Sequence, residues 1–400
     1  MSVAYDVVVV GAGVAGAATA RDIAAAGFRV LLIEEHAAVG EPLHCSGLIT
    51  PRTLELAGLQ SDMVLNEFGG AFVNLASGTR FSIGGAGPYA VAVDRVRLDR
   101  EIVAQAQEQG ADLRTSSKLV NIERLAGKLQ LSIKRPHGYE LVKTRLLVGA
   151  DGAQSTVARW LAPAAAVREV LVGVSVEARL VTEKQDYVEV FIGNSIAPGF
   201  FGWLIPLGDG HARIGIATND GKRPIHYLRQ LIDAFPKVFR GAEFGRYWGG
   251  LIPLTIVQKP FGDNVLLVGD AAGQVKPTSG GGIYTGLVGA KHCASAAIQA
   301  LARDDISGAS LSSYYDFWLG ELGEEFERLD DLRSVFLSLS DGDLDRLAQL
   351  LGAPGLQRLI ARHGDIDFPS PMLLRLARSL PALQSFVKVG LRFPWHRLLR

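Results

Sequence analysis

Asp270 stands where an acid could do chemistry. It follows the apolar run Val265-Leu266-Leu267-Val268 and Gly269, and leads through Ala271-Ala272-Gly273 to Gly280-Gly281-Gly282-Ile283. An aspartate at the end of a buried strand can accept from a sugar hydroxyl. Glycines that open a helix leave backbone amides facing an electron-rich ring edge. Alone, the segment would also read as a glycine-rich turn. A second constellation stands at the other end of the chain. Gly11-Ala12-Gly13-Val14-Ala15-Gly16 directly follows an apolar run, and Glu34 comes about 20 residues after the glycines. Gly11 permits the tight turn, Gly13 lets backbone approach a pyrophosphate, and Gly16 lets a helix pack close on a strand. Glu34 suits the hydroxyls of an adenosine ribose. Glu35 is adjacent, but Glu34 directly follows the second strand.

These residues need particular elements to hold them. Residues 5–10 are apolar and β-branched without alternation, as in a parallel strand buried on both faces. Residues 17–26 read as a helix and residues 29–33 as the next strand. Strand, glycine turn, helix, strand and acid together predict a dinucleotide site. Further on, residues 68–92 form a detour of turns and short strands. A helix over 98–109 leads to a strand at 111–113, followed by strands at 129–133 and 140–148. Residues 170–180, 186–192, 201–206 and 212–217 read as strands of a second, largely antiparallel sheet. After about Ile283 the pattern is helical. The expected fold is α/β. A Rossmann-like nucleotide domain covers residues 1–60, 93–160 and 256–300, and a β-sheet substrate domain covers 61–92 and 161–255. Residues 301–400 form a C-terminal helical region.

Composition narrows the function. The 400 residues carry 41 basic and 41 acidic side chains, so no global basic field recruits nucleic acid. Two cysteines make no disulfide framework and suit a reducing, cytoplasmic compartment. No uninterrupted apolar run is long enough for a transmembrane helix, and the N-terminus lacks the cationic start of a signal peptide. No metal cluster is expected.

The motifs resemble those of flavoprotein oxidoreductases of the para-hydroxybenzoate hydroxylase-like fold. The general signals are Gly11 to Gly16 with Glu34, Asp151-Gly152-Ala153-Gln154-Ser155 running on to Arg159, and Gly269-Asp270. Within that fold the chain is similar to the geranylgeranyl reductases. Gly40-Glu41-Pro42-Leu43-His44-Cys45-Ser46-Gly47-Leu48 resembles the loop that sets a cysteine beside the flavin. The segment Val93-Asp94-Arg95-Val96-Arg97-Leu98-Asp99 is similar to one supplying an arginine to FAD. Gly199-Phe200-Phe201-Gly202-Trp203-Leu204-Ile205-Pro206-Leu207-Gly208 resembles a stretch lining the substrate cavity. Two departures bear on the substrate, not the flavin: Leu207 stands where members often carry lysine, and the loop reads Cys-Ser-Gly rather than Cys-Gly-x-Gly.

The resemblance implies an FAD-dependent reductase of carbon–carbon double bonds in a prenyl chain, using NADPH or ferredoxin as donor. It implies FAD contacts from Ala15, Glu34, Cys45, Ser46, Gly47, Arg95, Val120, Asp270, Gly282 and Ile283, beside Gly11, Gly13, Gly16 and Asp151. It also implies a substrate surface at Phe201, Trp203 and Pro206. Arg95 can offer a planar fork to a phosphate or ribose, or pair with Asp94 or Asp99. Cys45 is the candidate catalytic residue, able to position an alkene or deliver a proton. Its other reading is a small buried hydrophobe. His44 reads as polar surface or as a proton donor, and Cys293, among alanines, as core. Competing readings are a flavin monooxygenase using oxygen and NAD(P)H, and a non-catalytic flavin electron carrier. Residues 368–400 hold six cations, Arg375, Arg378, Lys388, Arg392, Arg397 and Arg400, and no acid. They form either a helical cap, the preferred reading, or a peripheral contact with an anionic membrane.

Overall fold

The structure, a computed structural model, describes residues 4–85, 87–162, 169–221 and 223–379. Its first sheet has eight strands. Ala4–Val10 lies at the centre, parallel to Val30–Ile33 on one side and to Gly138–Gly149 on the other. Asp112–Arg114 and Val265–Leu267 extend the parallel set outward. Val7 and Val9 join one apolar cluster while Val8 and Val10 join the other. That is why this strand is apolar without alternation. Helices Val14–Ala25, Arg95–Glu108 and Ile283–Ala302 cover the first face. Lys118–Leu125 and Lys128–Arg135 form a meander off strand Gly138–Gly149, and their buried residues join the cluster on the second face.

Several boundaries differ from expectation. The first helix starts at Val14, because Gly13 serves as its N-cap. The helix expected at 98–109 starts at Arg95, since Asp94 caps it by accepting from the Arg97 amide. Strand Lys118–Leu125 was not expected. Only Leu119 and Ile122 of it are buried, so the period of two is weak.

The second sheet runs Glu243–Pro253, Val170–Arg179, His211–Thr218, Phe201–Gly208, Tyr187–Ile192, Gly70–Leu75, Arg80–Gly84. It is antiparallel except where Tyr187–Ile192 pairs in parallel with Gly70–Leu75. Part of the detour at 68–92 therefore supplies two strands of this sheet. Strands Val64–Phe68 and Ala90–Val93 go instead to a small three-stranded sheet with Leu48–Ile49. One face of the second sheet, with Val174, Val176, Leu204, Ile214 and Ile216, packs on helix Pro224–Ala234. On the other face Trp203 packs against a cluster with Phe68, Ala90 and Ala92, and both Phe201 and Trp203 against one with Phe200, Leu254 and Val275.

Four helices close the described chain: Glu324–Ser338, Asp341–Leu351, Pro354–His363 and Ser370–Ser379. The expected contact at 368–400 falls for its larger part, 380–400, outside the described residues. Among the described residues no helix is long and apolar enough to cross a membrane.

Candidate active site

The parallel strands end along one edge, and the chain turns there in three places. Gly11 takes a φ of +100°, and a β-carbon on it would lie 2.3 Å from the Ala150 carbonyl oxygen. A β-carbon on Gly16 would lie 2.0 Å from the Gly11 carbonyl oxygen. A β-carbon on Gly13 would meet nothing within 4 Å. Gly11 and Gly16 are thus fixed by packing, while Gly13 faces open space at the start of a helix that no side chain caps. Uncapped amides at a helix N-terminus are a ready anion site.

That open space is a cavity of about 370 Å³. Gly11, Gly13, Glu34, Cys45, Arg95 and Asp151 all line it, brought together from five segments. Glu34 is held in place: its carboxylate accepts from the Ala12 amide at 3.0 Å and the His36 amide at 3.0 Å. The His36 ring adds a contact at 2.7 Å. A carboxylate has roughly four lone-pair sites, so capacity for a sugar hydroxyl remains. Arg95 Nη2 donates to both oxygens of Asp99, at 2.7 and 3.0 Å. The expected alternative of an ion pair is therefore realised, but inside the cavity wall rather than on the surface. Burial opposes the Arg95 charge, yet Asp99 and Cys45 outweigh it and hold the guanidinium above its ordinary value. Burial pushes the Asp99 carboxyl up, against the pull of Arg95. The Arg95 Nε is buried and has no partner among the described residues, so one donor is left for a guest.

Asp151 lines the cavity, but its oxygens are engaged. It accepts from the Ser155 hydroxyl and from the Thr156 and Val157 amides, the latter two at 2.7 and 3.2 Å. Those amides open helix Thr156–Leu161, whose N-cap is Ser155, and Gly152 beside Asp151 takes the positive φ of the expected turn.

Other expected residues stand beside the cavity rather than in its wall. Ala15, Gly269 and Gly286 are neighbours: a β-carbon on Gly269 would lie 2.9 Å from Ala15 Cβ, and one on Gly286 3.6 Å from it. Gly282 adjoins Asp270 Oδ1, to which its β-carbon would come within 3.2 Å. Helix Ile283–Ala302 opens at Gly282 with no side-chain cap. Val120 is 40% exposed, on the opposite pleat from Leu119, and does not line the cavity, where Leu119 does. Ser46 and Gly47 lie behind Cys45. The Gly47 amide donates to Cys45 Sγ at 3.4 Å.

On the second sheet, register sets Trp203 opposite Gly215, Gly215 opposite Ser175, and Ser175 opposite Trp248. Phe201 shares this face, its ring 6.1 Å from that of Trp203. Pro206 does not. It pairs with Ala212, which belongs to the cluster on the opposite face. Strand periodicity separates it from Trp203, so the expected trio is a pair. The loop carrying Cys45 crosses this face: a β-carbon on Gly250 would be 2.7 Å from the His44 carbonyl oxygen. His44 is exposed, with Nδ1 3.3 Å from the Gly249 carbonyl. Cys293 is fully buried, and burial raises its thiol well above the ordinary range.

Three groups lay outside the expectations: Arg213, Lys276 and Arg333. All three are buried, and each meets a backbone carbonyl of another segment. For Arg213 the break in an apolar strand is a signal; for Lys276 and Arg333 the sequence gives none, and no partner carbonyl is written in it.

Fold and site together define a flavoprotein oxidoreductase that binds FAD. A family described as FAD binding domain matches residues 4–230. The digeranylgeranylglycerophospholipid reductase 2 of Methanopyrus kandleri is 30% identical over 398 residues, covering 94% of this chain and 99% of that protein. The chain belongs to the FAD binding domain family and, within it, to that of the digeranylgeranylglycerophospholipid reductases. A geranylgeranyl bacteriochlorophyll reductase-like protein from Thermoplasma acidophilum has the same fold, with a TM-score of 0.87 at 23% identity, covering 98% of this chain and 100% of that one. The p-nitrophenol 4-monooxygenase of Pseudomonas putida shares the fold more distantly, at TM-score 0.69 and 17% identity over 90% of this chain and 97% of that one.

Proposed function

We propose that the chain reduces carbon–carbon double bonds in the geranylgeranyl-type chains of an anionic prenyl lipid or prenyl diphosphate. The observation that carries this is the position of Cys45. It lines the cavity beneath the glycine loop, on a loop that also crosses the aromatic face of the second sheet. A prenyl chain on that face and a flavin along the strand edge would meet at this loop.

Gly13 and the amides after it would hold the pyrophosphate, Glu34 the adenosine ribose, and Arg95, through its free Nε, a phosphate or ribose oxygen. Asp270 would take a ribityl hydroxyl, and the amides of Gly282 and Ile283 would face the ring edge. Reduced FAD, held by these residues, would supply hydride to an alkene carbon. Cys45 would then give a proton to the other carbon, and water would reprotonate the thiol. Phe201 and Trp203 would orient the chain and exclude water. NADPH or ferredoxin would reduce the flavin after docking transiently.

The test is anaerobic. FAD-loaded protein is reduced with dithionite and mixed with geranylgeranyl diphosphate or a geranylgeranylated phospholipid. Flavin reoxidation together with a saturated product by mass spectrometry is the expected result. Reoxidation only after oxygen is admitted would overturn the proposal in favour of a monooxygenase.

A further inference from the structure

We propose that Arg213 is the positioning residue for Cys45, gripping the thiol's loop from the second sheet, and that Glu177 orients Arg213. The inference rests on the reading of Cys45 as a group at the reaction centre. Arg213 interrupts an apolar strand in which Ala212, Ile214 and Ile216 are all buried. Its own side chain is only 4% exposed. Burying a guanidinium is costly unless its donors are satisfied, so its presence there calls for a reason beyond packing.

Its donors point two ways. Nη1 donates to the Ser46 carbonyl oxygen at 2.5 Å. Nε and Nη2 both donate to Glu177 Oε1, at 3.2 and 2.8 Å. The fork thus spans one carboxylate on its own sheet and one carbonyl on the cysteine loop. Gly47 completes the fit. It takes a φ of +69°, and a β-carbon there would lie 2.7 Å from Arg213 Nη1 and 2.9 Å from Arg95 Cγ. The loop therefore passes between two arginines, one from each structural layer. The Gly47 amide in turn holds Cys45 Sγ. Arg213 does not line the cavity itself, so it would set where the thiol lies without touching the cofactor.

The test reads the loop directly. The FAD-loaded enzyme is alkylated with iodoacetamide under pseudo-first-order conditions. Cys293 is fully buried, so Cys45 provides the signal. Arg213→Met is expected to alkylate at least about tenfold faster and to lose about tenfold in kcat, the scale set by one charge-assisted hydrogen bond. KM and FAD affinity should stay within about twofold. Arg213→Lys keeps the charge but not the fork and should recover only part of the effect. Glu177→Gln, at a half-exposed position tolerant of change, should shift both readouts the same way by about threefold. If Arg213→Met does not fold, the lysine and glutamine variants decide. Unchanged alkylation in those two, or a fall in FAD affinity matching the fall in kcat, overturns the proposal. Cys45→Ala with full activity would sink the catalytic reading instead, while the alkylation kinetics would still test the positioning.

Discussion

Gly16 sits so close to Gly11 that a β-carbon on it would lie 2.0 Å from the Gly11 carbonyl oxygen. Gly13, between them, would direct a β-carbon into open space, and its φ of −73° suits any residue. The same motif therefore contains two kinds of glycine. Gly16→Ala is expected to disrupt helix and strand and destabilise the fold by about 2 kcal/mol or more. Gly13→Ala should leave the apoprotein's thermal midpoint nearly unchanged but weaken FAD binding by at least about tenfold, because the methyl occupies the pyrophosphate's approach. Thermal denaturation of apoprotein and fluorescence titration with FAD separate the two. Normal FAD affinity in Gly13→Ala would show that the pyrophosphate lies elsewhere.

Much of this was legible in the sequence, because short-range rules govern it. The glycine turn, its flanking strands and Glu34 lie within 34 residues, and their spacing encodes one local unit. The aromatic strand was legible as a strand, yet Pro206 was grouped with Trp203 until register put them on opposite faces. Arg213, Lys276 and Arg333 were not legible. Each acts on a carbonyl distant in sequence, and a backbone acceptor carries no residue identity. Residues 70–84 were assigned with 161–255 to the β-sheet domain, but the parallel pairing with Tyr187–Ile192, more than 100 residues away, was not legible.

The ion pair of Lys276 with Asp367 provides a second prediction. The N–O distance is 3.0 Å, and the side chains are only 5% and 3% exposed. Lys276 Nζ also donates to the Ile366 carbonyl at 2.9 Å, and Asp367 accepts from the Thr50 hydroxyl at 2.5 Å. Lys276 precedes the glycine-rich turn, so the pair ties that turn to the C-terminal helices. Lys276→Met should cost about 3 kcal/mol, because it leaves a carboxylate buried without its main partner. Adding Asp367→Leu should restore part of that loss. Urea denaturation of the three variants measures it. A single-variant loss below about 1 kcal/mol would mean that the Thr50 hydroxyl and Arg52, whose Nη1 stands 3.8 Å from Asp367 Oδ2, suffice to hold Asp367.

Asp151 predicts a pH dependence. Burial raises its carboxyl above the ordinary 3.8, although Ser155 and the helix amides pull it back. An acid raised in the folded state keeps its proton after the unfolded chain has released it. Between the two values the native state binds more protons, so unfolding becomes easier as pH rises. Above the folded value the loss is complete and constant. Asp151→Asn removes this step, so the wild-type minus variant stability difference should decline with pH just above 3.8 and then level off. Urea midpoints collected across the acid range test this. A difference that rises with pH would mean the helix amides outweigh burial.

Gly215 lies under the indole of Trp203, which a β-carbon there would approach to 2.4 Å, with Ser175 Oγ at 2.6 Å on the other side. The Ser175 hydroxyl can rotate away, but the indole is packed against two apolar clusters, so Gly215→Ala must displace the ring or bend the strand. The expected cost is about 1–3 kcal/mol, typical of overpacking. Trp203→Phe in the same chain should recover much of it, since the smaller ring vacates the space the methyl needs. Function should respond differently from stability. If Trp203 orients the prenyl chain, Gly215→Ala raises KM more than it lowers kcat, and adding Trp203→Phe does not bring KM back. Urea midpoints with steady-state kinetics on both variants distinguish these effects. A KM restored along with stability would assign Trp203 to the core of the second sheet and leave Phe201 as the aromatic residue facing the prenyl chain.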